Sequence, residues 1–260
     1  MKFAKKSLGQ NFLIDKNIIK KIVNLTSIKD ENVVEIGPGS GALTDEILSK
    51  GPKSLMLIEK DYDLVKELKS RYINNKIIKI YNSDILKLNI EKLISNNSTI
   101  FGNLPYNISS QILVKFVKFK KWPPNFKNLI FMFQKELGEK IIGKYSSPHY
   151  GRLSILTNYR LNIYKKFLVS LNCFLPKPKI TSIVIYFTPK KKSFNIKNIN
   201  NLEKITNIFF SQRRKMINKS IKKILTEEKI KKISDLKLDM RPAEIKPETY
   251  YKITELFEKK

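Results

Sequence analysis

The stretch Val33-Val34-Glu35-Ile36-Gly37-Pro38-Gly39-Ser40-Gly41 decides the fold. A short apolar strand runs directly into a turn with three glycines, and a helix pattern starts near Ala42. Glycine lets the backbone turn sharply and lets a ligand approach the peptide N–H groups, while a helix start favours an anionic group. The stretch therefore predicts a strand–turn–helix unit that cradles a ligand, with a purely structural turn as the alternative.

Two classes of cofactor fit the glycine turn. Gly37, Gly39 and Ala42 match the G-x-G-x-x-[G/A] pattern of dinucleotide sites. Glu35, Gly37, Gly39 and Gly41 match an acidic-x-Gly-x-Gly-x-Gly pattern, which suits S-adenosylmethionine because no pyrophosphate has to be held. The turn alone leaves both cofactors open.

Acidic residues follow the next two predicted strands. Glu59 ends the strand Ser54–Ile58, 22 positions after Gly37, where a carboxylate is placed to accept from both ribose hydroxyls of either cofactor. Asp84 follows the strand 77–81 and is placed to accept from an adenine amino group. A solvated charge at Glu59 and an Asx turn at Asp84 are the alternatives.

Asn103-Leu104-Pro105-Tyr106 follows the apolar run Thr99–Gly102. An Asn-x-Pro-aromatic turn at a strand end can present an amide oxygen, a backbone carbonyl and an aromatic face to one flat amino group. Adenine N6 is such a group, and acceptors around it favour the geometry in which its lone pair localises, without a strong general base. A strand-to-helix turn, in which Asn caps and Tyr packs, is the alternative.

The order of elements predicts the fold class. Strands alternate with helices up to about residue 188, which is typical of a parallel, doubly wound Rossmann-like α/β sheet with its ligand site at the carboxyl ends of the strands. The glycine turn, Glu59, Asp84 and the Asn103–Tyr106 turn all follow predicted strands. We therefore expect a cofactor-binding domain over residues 1–188 and a small all-helical domain over residues 189–260.

The charge favours a polyanionic partner. The chain carries 51 basic and 23 acidic residues, a net charge of +28. Only six of the basic residues are arginine, so an AT-rich coding bias toward Lys, Ile and Asn is an alternative explanation. The stretch Arg213–Lys223 contains no acidic residue and reads as part of a helix over Arg214–Leu225. The basic residues that we expect to contact nucleic-acid phosphates are Arg213, Arg214, Lys215, Lys219 and Lys222.

Cysteine and histidine usage limits the chemistry. A single cysteine, Cys173, excludes an intrachain disulfide, and with the single His149 it cannot form a Cys/His zinc site. No apolar run approaches the ~18 residues of a membrane span, and no apolar stretch follows the basic start of the chain. These features predict a soluble cytoplasmic protein that uses no metal.

Taken together, the motifs resemble the small-subunit branch of the ribosomal RNA adenine N6,N6-dimethyltransferase family. The resemblance extends from about residue 6 to residue 251, and the order and spacing of the motifs make it specific. The segments that carry it are 8–13 (LGQNFL), 35–44 (EIGPGSGALT), 103–110 (NLPYNISS), 134–136 (QKE), 150–154 (YGRLS), 174–179 (FLPKPK) and 210–215 (FSQRRK).

The resemblance implies a class I methyltransferase sheet and S-adenosylmethionine as cofactor. It implies two methyl transfers onto each of two neighbouring adenosines, in a hairpin loop near the 3′ end of small-subunit RNA in a maturing 30S particle. We expect Asn103 and the Leu104 carbonyl, stiffened by Pro105, to accept from N6, and Tyr106 and Phe174 to stack on the base. Expected cofactor contacts are Asn11, Leu13, Gly37, Gly39, Glu59, Asp84 and Asn103.

Other functions remain alternatives at this point. They are a large-subunit ribosomal RNA adenine methyltransferase of the antibiotic-resistance type, a non-catalytic assembly or transcription factor on the same fold, and a nicotinamide dehydrogenase. A DNA adenine methyltransferase would more often carry a double-proline turn. We expect the protein to be a monomer.

Overall fold

The computed structural model describes residues 10–191 and 194–259. The chain divides into two compact units. Met1–Gly138 and Ile163–Pro189 form the first, here called the sheet unit, and Glu139–Asn162 and Lys190–Lys260 form the second, the helical unit.

The sheet unit alternates strands with helices along the chain. Its strands are β1 Phe12–Leu13, β2 Asn32–Ile36, β3 Ser54–Glu59, β4 Ile78–Asn82, β5 Ser98–Asn103, β6 Phe126–Gln134, β7 Leu161–Val169, β8 Phe174–Leu175 and β9 Ser182–Pro189. Its helices are α1 Lys16–Val23, α2 Ala42–Ser49, α3 Tyr62–Arg71, α4 Ile90–Leu93, α5 Ser109–Val117 and the start of α6 Lys135–Ile142.

Seven of these strands form one sheet in the order β4-β3-β2-β5-β6-β9-β7. Strands β4, β3, β2, β5 and β6 are parallel, and β9 is antiparallel to β6. The strand order reverses at β2. The chain adds β3 and β4 on one side of β2 and then adds β5 and β6 on the other side. A crevice at the carboxyl ends of β2 and β5 is where an open sheet of this kind binds its ligand.

Apolar burial explains why the central strands form. Strand β5 has five buried residues in succession, and Ile100 and Phe101 are fully buried. Such continuous burial is expected where helices cover both faces of a parallel sheet. The Rossmann-like α/β fold predicted from the alternation of elements agrees with this topology.

The first strand was not predicted. Phe12 and Leu13 pair antiparallel with Leu175 and Phe174 in a separate two-stranded sheet. The pairing joins residues that are 161 to 163 positions apart, so local periodicity could not reveal it.

The helical unit has its own hydrophobic core. Its helices are α7 Arg152–Arg160, α8 Ile199–Phe210, α9 Asn218–Ile221, α10 Glu227–Lys231 and α11 Pro247–Glu258. Leu202, Ile205, Phe209 and Tyr250 are fully buried there. The described part of the chain beyond Pro189 contains helices and no strand, as the sequence pattern predicts.

The predicted boundary at residue 188 needs one correction. The segment Glu139–Asn162 belongs to the helical unit, although the sequence pattern placed it in the first domain. The reason is its packing, since the Tyr150 hydroxyl donates to the Ile245 carbonyl at 2.8 Å and the Tyr251 hydroxyl donates to the Ile155 carbonyl at 3.1 Å. These contacts span about 95 positions and leave no local signal.

The predicted helix over Arg214–Leu225 is also wrong. Only Asn218–Ile221 is helical, and residues 211–214 form turns. The Ile217 amide donates to the Met240 carbonyl at 2.9 Å instead of to a carbonyl one helical turn earlier. A tertiary hydrogen bond has therefore replaced a helical one.

Two features are not found among the described residues. No described helix is long and apolar enough to cross a membrane. Residues 10–191 and 194–259 contain no group of three or more His, Cys, Asp or Glu residues arranged to hold a metal ion.

Candidate cofactor and catalytic site

A cavity that is partly open to solvent lies at the carboxyl ends of the parallel strands. The residues that follow β2, β3, β4 and β5 all contribute to its wall. Among the lining residues are Asn11, Phe12, Leu13, Glu35, Gly37, Gly39, Glu59, Asp84, Asn103, Leu104, Pro105 and Tyr106. The cavity thus brings together every cofactor residue and all but one of the catalytic residues predicted from the sequence.

The glycine turn is shaped by positive backbone angles. Gly37, Gly39 and Gly41 have φ values of +68°, +58° and +85°, which side chains rarely tolerate. A Cβ atom added to Gly39 would lie 2.9 Å from Cδ1 of Phe12. Residue 39 must therefore lack a side chain, both for its backbone angle and because Phe12 occupies the neighbouring space.

Glu59 is held by backbone donors at the end of β3. One carboxylate oxygen accepts from the amides of Lys60 at 2.7 Å and Asp61 at 2.9 Å, and the other accepts from the Gly39 amide at 3.2 Å. Burial raises the pKa of Glu59, although these three hydrogen bonds act in the opposite direction. The carboxylate therefore ties the glycine turn to the next strand while lining the cavity.

Glu35 is a second carboxyl group on the same wall, and it is 1% exposed. Its Oε2 accepts from the Thr44 hydroxyl at 2.7 Å. Burial raises the pKa of Glu35 to about 8, against the opposing effect of that hydrogen bond. Glu35 is therefore largely protonated at neutral pH.

Asp84 lies beyond β4 and remains charged. Its two oxygens accept from the Leu86 amide at 2.9 Å and from Lys60 Nζ at 3.0 Å. These bonds lower the pKa of Asp84, with the Leu86 amide as the largest cause. The bond to Leu86 is the Asx turn that was the alternative for this residue, so the turn and the position in the cavity occur together.

Asn103 ends β5 with its amide group oriented. Its Nδ2 donates to the Asn11 carbonyl at 3.0 Å, which leaves Oδ1 as the atom available to accept from a ligand. Leu104 is 1% exposed, so its side chain anchors the turn in the core. The Asn103–Tyr106 turn is in this way both a structural turn and one wall of the cavity.

Tyr106 is fixed at both ends. Its backbone carbonyl accepts from the Ser109 hydroxyl at 3.2 Å, and its phenol oxygen lies 2.6 Å from Oγ of Ser182. Burial raises the pKa of the Tyr106 phenol. The ring is therefore neutral, partly buried and restrained beside the cavity.

The residues behind the glycine turn were not predicted from the sequence. Arg71 donates to the Ser40 carbonyl at 2.9 Å and forms an ion pair with Asp45, and the Tyr72 hydroxyl donates to Asp45 at 2.6 Å. Arg71 and Tyr72 lie at the end of α3, and their bonds hold the start of α2 in place. Nothing in their spacing signals the contact, because it depends on how α3 packs.

Phe174 lies outside the cavity. Its side chain is 2% exposed and belongs to the hydrophobic core of the sheet unit, in β8 opposite Leu13. Stacking of Phe174 on a bound base would require this ring to leave the core. The structure therefore provides Tyr106, and not Phe174, as an aromatic face on the cavity.

The basic stretch Arg213–Lys223 divides into two groups. Arg213 Nη2 donates to the carbonyls of Pro148 at 3.0 Å and Tyr150 at 3.2 Å, so this guanidinium holds a loop of its own unit. Lys222 forms an ion pair with Glu227 at 3.1 Å. Of the predicted RNA-binding residues, the exposed side chains that form no hydrogen bond or ion pair with the described part of the chain are Arg214, Lys215 and Lys219.

Comparison with known proteins identifies the family. A profile described as "Ribosomal RNA adenine dimethylase" matches residues 1–259. The ribosomal RNA small subunit methyltransferase A of Pelagibacter ubique (strain HTCC1062) is 45% identical over 256 residues, which cover 98% of this chain and 97% of that protein. The chain belongs to the ribosomal RNA adenine dimethylase family. The resemblance inferred from the motifs is confirmed.

Other relatives agree with this assignment. The methyltransferase A of Malacoplasma penetrans (strain HF-2) is 40% identical over 258 residues, covering 96% of this chain and 91% of the relative. A dimethyladenosine transferase from Plasmodium falciparum superposes with a TM-score of 0.78 at 23% identity, over 93% of this chain and 95% of that one. The 23S ribosomal RNA methyltransferase ErmE gives a TM-score of 0.70 at 21% identity, over 96% of this chain and 100% of that one. The two structures confirm the fold class.

Proposed function

We propose that this member of the ribosomal RNA adenine dimethylase family uses S-adenosylmethionine to dimethylate N6 of two adjacent adenosines in small-subunit (16S) ribosomal RNA. The target is a hairpin loop near the 3′ end, in a maturing 30S particle. The observation that carries the proposal is the oriented amide of Asn103, which lines the same cavity as Glu59 and Asp84. Relatives at 45% and 40% identity are named as small-subunit methyltransferases.

The cavity suits a nucleoside cofactor. Glu59 and Asp84 are acceptors on successive strands, which fits ribose hydroxyls and an adenine amino group respectively. The Glu59 oxygen that accepts only from the Gly39 amide, and both Asp84 oxygens, each have a second lone pair beyond the hydrogen bonds described above. Gly37 and Gly39 line the cavity with positive φ angles, so the backbone of the turn faces a ligand without side chains at these two positions. When bound, S-adenosylmethionine would supply an electrophilic methyl group.

In this proposal the Asn103–Tyr106 turn is the catalytic turn, which acts on the target amino group. Oδ1 of Asn103 and the carbonyl of Leu104 accept from N6 of a flipped-out adenine and stabilise the positive charge that develops there. The Tyr106 ring stacks on the base and sets its plane. Phe174 as a second stacking partner stays a prediction, and its ring would have to leave the core of the sheet unit to stack on a base. Positioning, and not a strong base, supplies most of the rate.

RNA is held in part by charge. Arg214, Lys215 and Lys219 are exposed basic side chains that can contact phosphates. Arg213 and Lys222 are weaker candidates because each has a partner within the helical unit. A cytoplasmic location and a monomeric state stay predictions.

The nearest rival substrate is large-subunit ribosomal RNA, since ErmE shares the fold. The test uses purified protein, labelled S-adenosylmethionine, and small and large subunits from cells that lack the modification. We expect two adjacent N6,N6-dimethyladenosines in the small-subunit RNA alone, detected by nucleoside mass spectrometry and mapped by primer extension. Label in the large-subunit RNA would favour the rival. No label in either RNA, with cofactor binding intact, would favour a non-catalytic assembly factor.

A further inference from the structure

Ser182 is a fully buried polar residue with no role in the function proposed so far. It is 0% exposed and opens β9, where it pairs with Gln134 at the end of β6. Its Oγ lies 2.6 Å from the phenol oxygen of Tyr106. The contact joins residues 76 positions apart, so it connects the catalytic turn to a strand on the other side of β6.

We propose that Ser182 is a positioning residue, which fixes the plane of the Tyr106 ring for stacking on the target adenine. The inference rests on the proposed function. Hydrogen bonds also hold the backbone of the turn. The Ile108 amide donates to the Pro105 carbonyl at 3.1 Å, and the Ser109 hydroxyl donates to the Tyr106 carbonyl at 3.2 Å. Ser182 holds the opposite end of the same side chain.

Restraint at both ends has a consequence for stacking. A tyrosine held only at its Cα can still rotate about χ1 and χ2, and that freedom must be lost when a base stacks on it. With the hydroxyl hydrogen-bonded to a rigid strand, much of this freedom is lost before RNA binds. The hydroxyl also keeps the ring polar at its far end, which phenylalanine would not, and Ser182 is too deeply buried to find water as a substitute partner.

The test removes the hydrogen bond from each side. We expect Ser182→Ala and Tyr106→Phe each to lower kcat/KM for small-subunit RNA by roughly threefold to tenfold, the usual size of one net hydrogen bond. The double variant should be no worse than the more affected single variant, because both changes remove the same bond. Ser182→Thr retains the hydroxyl and should restore part of the activity.

A spectroscopic arm needs neither RNA nor activity. With ¹³Cζ-tyrosine in the protein, Tyr106→Phe identifies the Tyr106 resonance among those of the 11 tyrosines. Ser182→Ala should shift that resonance. The matched control is Ser98→Ala, which removes another fully buried hydroxyl at a strand start, bonded to the Ser95 carbonyl at 2.7 Å. It should lower stability, but change neither the Tyr106 resonance nor kcat/KM.

Three results would overturn the proposal: the two given next, and full activity in Tyr106→Phe. One is an unchanged Tyr106 resonance in Ser182→Ala, and the other is a double variant whose loss equals the product of the single losses. If Ser182→Ala does not fold, Tyr106→Phe and Ser182→Thr still decide the kinetic arm, since full activity in Tyr106→Phe would contradict the proposal. If the wild-type protein methylates no small-subunit RNA, the proposed function fails, while the resonance still reports whether the bond exists.

Discussion

The cavity edge of the sheet unit and the basic stretch of the helical unit are both polar, but they are built differently. At the cavity edge, polar groups have fixed partners: Asn103 donates to the Asn11 carbonyl, Glu59 accepts three backbone amides, and Tyr106 bonds to Ser182. In the stretch Arg213–Lys223, all six basic side chains are solvent-exposed.

This difference matches two physical tasks. Methyl transfer depends on geometry, because small displacements of the reacting groups cost large factors in rate. Attraction of a polyanion depends mainly on charge, and exposed cations provide it without fixed positions. The contrast leads us to assign chemistry to the cavity edge and RNA holding to the exposed cations, and each assignment can be tested separately.

The largest effect is expected at Asn103. Asn103→Ala should reduce the methyl-transfer rate by about 10²-fold or more at saturating cofactor, because one oriented acceptor for the transition state is lost. RNA affinity should stay near that of the wild type. Asn128→Ala is the control, since Asn128 is a buried asparagine bonded to Thr99 and Tyr186 that does not line the cavity. Wild-type turnover of Asn103→Ala would make the turn purely structural.

The next effect concerns the glycine turn. In Gly39→Ala the new methyl group would lie against Phe12, so we expect the affinity for S-adenosylmethionine to fall by roughly tenfold, or about 1.4 kcal/mol. Gly51→Ala is a matched control, because Gly51 also has a positive φ of +66°, but a Cβ added there would meet no atom within 4 Å. Equal affinity losses in the two variants, measured by calorimetry, would show that backbone strain and not the cavity is responsible.

A third effect is the pH dependence of stability caused by Glu35. Its folded-state pKa is raised from 4.5 to about 8, so the folded state binds more protons than the unfolded state between these values. The contribution of Glu35 to the free energy of unfolding is fully present below pH 4.5 and is lost as the pH rises toward 8. Relative to Glu35→Gln, the wild type should lose up to about 1.4 kcal/mol per pH unit in this window. The free energy of unfolding of each protein is measured with urea from about pH 5 to about pH 8. An equal change with pH in the two proteins would contradict the assignment.

The smallest effect is expected in the basic stretch. Arg214→Gln with Lys215→Gln should weaken RNA binding and flatten its salt dependence by roughly 0.7 to 0.9 slope units per lost phosphate contact. Arg213→Gln should leave the slope nearly unchanged but lower stability, because its guanidinium bonds to the loop carbonyls of Pro148 and Tyr150. A slope that changes for Arg213→Gln and not for the double variant would reverse this assignment.

The sequence predicted what local patterns encode. The strand–glycine turn–helix unit, Glu59, Asp84 and the Asn103 turn all follow strands, and parallel strands bring their carboxyl ends to one edge. The structure confirms that fold, and the same residues line one cavity.

Long-range packing was beyond such patterns. The burial of Phe174 follows from the pairing of β8 with β1, and the partner of Tyr106 lies on β9. The carbonyls that engage Arg213 belong to residues about 65 positions earlier. Each of these outcomes depends on which elements meet, and residue spacing does not specify that.

Chemistry and RNA holding are assigned to different parts of the molecule. A double-mutant cycle measures this separation directly, with kcat/KM for small-subunit RNA determined for Asn103→Ala, for Arg214→Gln and for the protein that carries both changes. If the tasks are separate, the combined loss equals the product of the single losses, with a coupling energy below about 0.5 kcal/mol. A coupling energy of about 1 kcal/mol or more would show that Asn103 and Arg214 serve one step, and would contradict the account.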